Sequence, residues 1–262
     1  MKLDGKIAYV TGGAMGNGLG IVKMFLKYGA TVIIADYNKG VFEVEEVLKE
    51  KGYPVKAYLV DIRNQEEVNE SVREVIAAYG RIDILVNNAG VAKLKRFIDM
   101  TDEERDYHFD INIKGSWNVT KAVLPYMVDN KYGKIINLSS VTGPMVADPG
   151  EVAYATTKAA LIGFTKSLAR EYAEDNINVN AIMPGYIKTP MVSSIATDSN
   201  YEDPRSVIEG IAAAIPMGRL GKINELGELA AFLASEESSY ITGQGIVIDG
   251  GSTLPETISV GN

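Results

Sequence analysis

Seven short runs of β-branched and aliphatic residues alternate with longer amphipathic stretches along the 262-residue chain, and this alternation constrains its fold most. The runs are Lys6–Thr11, Thr31–Asp36, Val55–Asp61, Ile82–Asn87, Gly133–Ser139, Asn176–Met183 and Gly245–Asp249. Helical patterning covers about 17–29, 39–51, 65–79, 103–130, 152–174 and 223–234. Strand–helix–strand repetition predicts a parallel sheet with helices on both faces. There is no Pro- or Ser-rich linker and no internal repeat, so residues 1–262 read as a single domain. The least regular stretch, about 185–220, is too long for an ordinary loop and is expected to act as a substrate lid.

Composition removes several function classes. With 46% hydrophobic and 23% charged residues the chain can bury a substantial core. It has no cysteine and one histidine, His108, which excludes disulfides, thiolate catalysis and the common zinc centres, so no metal is expected. His108, in "RDYHFD", has no nucleophile motif beside it and reads as a helix-surface or interface residue. A net charge of −8 argues against binding a phosphate backbone, and no nucleic acid partner is expected. No apolar run approaches the ~18–20 residues that span a bilayer, and "MKLDGKIAYVTGG" lacks a leader pattern. No membrane association and a cytoplasmic location are therefore expected.

The first strand runs into "TGGAMGNGLG". Glycines there permit a tight turn and let the backbone approach a pyrophosphate at the N-terminus of the next helix, where free N–H groups and the helix dipole favour negative charge. Asp36 ends the second strand, 18 residues beyond Gly18, about where a dinucleotide fold places a carboxylate on the adenosine ribose. A carboxylate there repels a 2′-phosphate, and neither Tyr37 nor Met15 offers that phosphate a cation. NAD is therefore favoured over NADP.

Later, "VAYATTKAALIGF" sets Tyr154 one helical turn ahead of Lys158 among small and apolar neighbours. Residues four apart share a helix face, and burying a phenol and an ammonium costs free energy unless each has a partner.

Taken with "NNAG" at 87–90, Asn112 in "INIKG", "NLSS" at 137–140 and "PGYIKT" at 184–189, these motifs fall in the order of the short-chain dehydrogenase/reductase family. The chain resembles its compact branch over essentially its whole length, with closer likeness to UcpA-type bacterial oxidoreductases. One departure is Asn17, where the family usually has an aliphatic residue.

The resemblance implies a Rossmann-type, doubly wound, seven-stranded parallel sheet. It implies that Gly12, Gly16, Asn17 and Gly18 wrap the phosphates and Asp36 holds the ribose. Asp61 with Ile62 would face the adenine, and Asn88, Ala89 and Gly90 would line the cofactor. Tyr154, Lys158, Pro184, Gly185, Ile187 and Thr189 would complete its binding wall. Tyr154 becomes the general acid/base, Lys158 its cation, Ser140 rather than Ser139 the substrate-oxygen ligand, and Asn112 the holder of a relay water. Bringing a phenol from ~10 to ~7 takes ~4 kcal/mol of preferential phenolate stabilisation. Lys158 and oxidised nicotinamide are expected to supply it.

The expected substrate is a moderately sized secondary alcohol or ketone. Val141, Met145, Val146, Met191, Ile195 and Met217 would make its pocket apolar, with Lys93, Asp148 and Glu151 within reach. Two alternatives remain: an NADPH-using 3-oxoacyl-carrier-protein reductase, and a non-catalytic NAD sensor or scaffold. Glu174 and Asp175, in the turn after the Tyr–Lys helix, disfavour the first because carrier proteins are acidic. The family likeness also implies a homotetramer, with the tail "STLPETISVGN" packing on a neighbour.

Overall fold

The computed structural model describes residues 2–254. The end of the tail, 255–262, where packing on a neighbour was expected, lies outside the described residues. The seven runs become β1 (Ile7–Thr11), β2 (Thr31–Asp36), β3 (Val55–Leu59), β4 (Ile84–Asn87), β5 (Gly133–Leu138), β6 (Ile177–Pro184) and β7 (Gly245–Ile248). They pair in parallel in the order β3-β2-β1-β4-β5-β6-β7. The order reverses between β1 and β4, which opens a crevice at the C-terminal strand ends.

Strand residues alternate between two cores. Ala8 and Val10 face α1 (Gly16–Lys27), α2 (Val41–Glu50) and, further along the chain, the helix Ile223–Leu233. Ile7 and Tyr9 face α3 (Gln65–Tyr79) and helices from the middle of the chain. Fully burying one such aliphatic side chain contributes roughly 1.5–3 kcal/mol. Where α1 meets Ile223–Leu233, a Cβ on Gly20 would lie 2.3 Å from the Ile223 carbonyl oxygen, and one on Gly227 2.5 Å from that of Gly20. Only glycine lets these backbones approach so closely.

The continuous helix expected over 103–130 is interrupted. Helix α4 (Asp102–Phe109) starts at a Thr101–Glu104 capping box, and α5 (Ser116–Asp129) follows a π-helical turn, Asp110–Gly115. Within that turn Asn112 is buried. Its Oδ1 accepts the Val91 N–H (2.8 Å), and its Nδ2 donates to the Val91 carbonyl (3.0 Å) and to Thr157 Oγ1 (2.9 Å). These long-range bonds offset the loss of regular helical pairing. Such turns often mark functional sites.

His108 is fully buried, not on the surface. Its Nδ1 donates to the Glu104 carbonyl (2.7 Å) and its Nε2 accepts the Lys93 N–H (3.0 Å), so it clamps the segment after β4 onto α4. Both bonds together require the neutral, Nδ1-protonated ring.

Helix α6 (Val152–Glu171) precedes β6. The irregular stretch then proves to be two helices, α7 (Pro190–Ser199) and α8 (Pro204–Ala214), each with Pro in its first turn. Thr189 and Asp203 cap them by accepting the N–H groups of Val192 and Ser206. Helix α9 (Ile223–Leu233) follows before β7. Among the described residues, no helix is long and apolar enough to cross a membrane.

Candidate active site

A cavity of about 880 Å³ occupies the crevice at the ends of β1, β2, β4, β5 and β6. This is at the upper end of the ~300–1,000 Å³ usual for small-molecule sites. At one end the glycine loop leads into α1. Gly12 and Gly16 hold left-handed φ angles of 64° and 53°, and a Cβ on Gly18 would lie 2.1 Å from the Gly12 carbonyl oxygen. No side chain caps the N-terminus of α1, and the buried Oδ1 of Asn17 has no hydrogen-bond partner among the described residues. The uncapped N–H groups at the start of α1, reached through a turn of glycines, fit a pyrophosphate.

The loop is braced from β4. Thr11 Oγ1 donates to the Val86 carbonyl and accepts the Asn88 and Ala89 N–H groups, while Asn88 Nδ2 donates to the carbonyls of Thr11 and Gly12. Thr11 opens the glycine motif in the sequence, but its bracing role was not read there. Asn87 has a related role: its Nδ2 donates to Thr120 Oγ1 and Asn137 Oδ1, which ties β4 to α5 and β5.

Asp36 stands at the cavity edge, where its carboxylate accepts the Ala14 and Asn38 N–H groups, each at 2.9 Å. A carboxylate has about four acceptor positions, so two bonds leave capacity for ribose hydroxyls. Asp61 also lines the cavity, but Arg63 holds it in a two-pronged pair. That guanidinium keeps the Asp61 carboxyl below the usual carboxylate range. Arg63 lies 5.9 Å from the Tyr37 ring centre and is a cation near the ribose end that sequence reading missed. Its only signal was its place directly after Asp61 and Ile62.

The other end of the cavity carries Ser140, Tyr154 and Lys158. Lys158 is buried, and its Nζ donates to the Leu138 carbonyl (2.7 Å) and lies 5.6 Å from the Tyr154 ring centre. The Ser140 hydroxyl accepts the Thr142 N–H (3.1 Å) and turns its own O–H to the Pro184 carbonyl (3.5 Å), on the same cavity wall as the Tyr154 phenol. Ser139 instead donates to the Lys158 carbonyl (2.7 Å), which leaves Ser140 as the hydroxyl available to a ligand.

Burial pushes the Tyr154 phenol up to about 12, and Glu151 and Tyr186 push the same way against the Ser140 hydroxyl. Burial alone pushes Lys158 down to about 8. The expected lowering of the phenol is thus not produced by the protein's own groups, because desolvation outweighs the Ser140 hydroxyl that opposes it.

Of the residues expected to bind or react, all but Gly18 and Asn112 line the cavity. Gly18 packs beneath the Gly12 carbonyl. Asn112 stands one layer back, although a Cβ on Gly90 would lie 3.2 Å from its Oδ1 and 3.4 Å from Lys158 Nζ. Of the expected substrate-side residues, Val141, Met191, Ile195 and Glu151 line the cavity. Met145, Val146, Lys93 and Asp148 do not, and Met217 borders a separate small pocket. Tyr186, from the 185–220 stretch, joins the wall, as does Tyr107, which was not anticipated.

Comparison with known proteins adds the following. A family model described as enoyl-(acyl carrier protein) reductase matches residues 12–253. The chain is 56% identical to oxidoreductase UcpA of Escherichia coli (strain K12) over 260 residues, covering 99% of each. It is 42% identical to the 3-oxoacyl-[acyl-carrier-protein] reductase FabG of Thermotoga maritima, covering 97% of this chain and 100% of the relative. The crystal structure of levodione reductase is similar with a TM-score of 0.92 at 29% identity, covering 96% of this chain and 98% of the other.

Proposed function

The chain belongs to the short-chain dehydrogenase/reductase family, and from that premise we propose that Tyr154, Ser140 and Lys158 interconvert a secondary alcohol and a ketone, with Asn112 in support. The enzyme is an oxidoreductase acting on CH–OH groups with an NAD-type cofactor. The observation that carries the assignment is the convergence of three groups on one cavity wall: the Ser140 hydroxyl, the Tyr154 phenol, and the Lys158 ammonium 5.6 Å from the Tyr154 ring centre.

When bound, the dinucleotide supplies the hydride acceptor or donor. The protein binds, orients and manages protons. Gly12, Gly16, Asn17 and Gly18 would receive the phosphates and Asp36 the ribose, with Asp61 and Ile62 at the adenine. Asn88, Ala89 and Gly90 would line its middle, and Pro184, Gly185, Ile187 and Thr189 its reactive end. Asp36 supports NAD over NADP, because its charge opposes a 2′-phosphate and the nearby Arg63 is held by Asp61.

Ser140 would hold the substrate oxygen against the phenol, a placement and polarisation effect. Burial keeps Tyr154 protonated through neutral pH, the form that gives its O–H proton to a ketone oxygen. Oxidation needs the phenolate, and the Lys158 ammonium, present below about 8, is the protein's own cation for it. With both side-chain atoms of Asn112 bonded, its water-holding role would fall to its carbonyl. The Ser116 N–H bonds Ile113 instead, and the Ser116 hydroxyl donates to the Asn112 carbonyl (3.0 Å).

The carrier-protein reductase reading has weaker support. Identity to UcpA exceeds identity to FabG, and the turn after α6 presents Glu174 and Asp175. We also propose a homotetramer, supported by a Trp117–Phe164 stack (5.3 Å between ring centres) on the outer faces of α5 and α6, with Trp117 56% exposed. Sedimentation as a monomer at micromolar concentration would remove that proposal.

The first test is separate titration with NADH and NADPH, then 340 nm absorbance across polyols, sugar acids, hydroxysteroids and small diketones. Tyr154→Phe is expected to keep NADH binding and lose about 10²–10⁴-fold in kcat, the usual share of general acid–base catalysis. Tyr154→Phe with full turnover would remove the assignment. Nucleotide binding by the wild type without any turnover would favour the sensor.

A further inference from the structure

Resting on the assignment of Tyr154 and Ser140 above, we propose that Glu151 determines specificity by selecting alcohols with a second hydroxyl beside the reacting carbon, vicinal diols or polyols, over those with a carboxylate there. Glu151 lines the cavity and precedes α6, three residues before Tyr154, so the two side chains leave the same helical turn. The Glu151 carbonyl accepts the Ala155 N–H (2.7 Å), and its side-chain Oε2 accepts the Asp148 N–H (3.2 Å). Backbone and carboxylate are therefore both held in place.

The surroundings give that carboxylate its consequence. Val91, Val141, Met191 and Ile195 make the nearby wall apolar. The two basic residues lining the cavity are engaged elsewhere, Arg63 by Asp61 and Lys158 by the Leu138 carbonyl. The other lining carboxylates, Asp36 and Asp61, belong to the ribose and adenine end. Among the described residues, the substrate end thus presents one half-buried carboxylate and no cation free to neutralise a substrate anion. Burial raises the Glu151 carboxyl above its ordinary range, as expected for a group drawn out of water.

An ionised carboxylate only accepts hydrogen bonds. A hydroxyl donated to it forms a charge-assisted bond, about twice as strong as a neutral one. A substrate carboxylate at the same point would set two like charges together where solvent screens poorly. The same group therefore rewards a neighbouring hydroxyl and rejects a neighbouring acid.

The test uses three probes on one ring, cis-1,2-cyclohexanediol, cyclohexanol and 2-hydroxycyclohexanecarboxylate, each oxidised with NAD by the full-length protein. The wild type is expected to favour the diol over the hydroxy acid in kcat/KM. Glu151→Gln is expected to cut that ratio by about tenfold or more, the scale on which sites built for a substrate hydroxyl discriminate. Glu151→Lys is expected to reverse the preference. NADH fluorescence titration shows whether each variant remains folded at its nucleotide site. Equal ratios in wild type and both variants, with NADH binding retained, overturn the role of Glu151 alone. Turnover of none of the three probes by the wild type counts against the Tyr154 and Ser140 assignment, and the role of Glu151 falls with it.

Discussion

Ser139 donates its hydroxyl to the main-chain carbonyl of Lys158, while Lys158 sends its ammonium back to the carbonyl of Leu138, each at 2.7 Å. This reciprocal pair locks α6 to the end of β5 in the turn that carries Tyr154. Successive residues leaving a strand point to opposite sides, so Ser139 faces the helix while Ser140 faces the cavity.

The two serines should therefore fail differently. Ser139→Ala removes a buried hydrogen bond of about 1 kcal/mol, and Tm should fall by about 2–4 °C for a chain of this size. Ser140→Ala should leave Tm closer to wild type and lower kcat by about 10² or more, the cost of losing a preorganised donor. Thermal melts beside initial rates separate them. Equal kinetic losses with equal melting shifts would contradict the division of labour.

Lys158, proposed as the cation beside Tyr154, is buried at the expense of stability. Burial lowers its pKa from 10.5 to about 8 in the folded chain, so between those values the unfolded chain binds more protons and stability rises with pH. Below about 8 the folded protein carries the full cost of a buried cation. Lys158→Met should therefore melt higher than wild type at pH 7, with the gap closing toward pH 10.5, and should be inactive. A lower melting temperature for Lys158→Met at pH 7 would mean that the Leu138 bond outweighs desolvation.

His108 positions the substrate side at a distance. Replacing it with Phe keeps ring bulk but leaves the Lys93 N–H without its acceptor, a cost of about 1–3 kcal/mol for a buried group. The segment after β4 that carries Val91 should loosen. KM for the alcohol is expected to rise several-fold while NADH affinity, proposed to rest mainly on the glycine loop and Asp36, stays within about twofold, consistent with coupling that fades beyond direct neighbours. A matching loss of NADH affinity would show that the clamp serves the whole cleft.

Much of the site was legible because its signals are local. Glycine spacing, the acid closing β2 and a Tyr–Lys pair four apart on one helix each arise within a few residues, where backbone geometry decides them. The helices of the 185–220 stretch, α7 and α8, were also local: Thr189-Pro190 and Asp203-Pro204 are cap-and-proline starts, present in the sequence but unread. The π turn is different, because it depends on Asn112 reaching Val91 and Thr157, 21 and 45 positions away.

By itself, then, the sequence determined the alternation of strands and helices, the glycine cradle and the Tyr–Lys pair on one helix face, since periodicity and spacing act over one or two turns; the roles of those side chains are what the family resemblance implies. Only the tertiary structure decided that His108 is a buried clamp, that Glu151 enters the cavity while Asp148 stays outside, and that Ser139 and Ser140 divide their work. It also decided that burial raises the phenol of Tyr154 and lowers the ammonium of Lys158. Desolvation and long-range hydrogen bonding depend on what the fold brings around a group, and no local pattern encodes that.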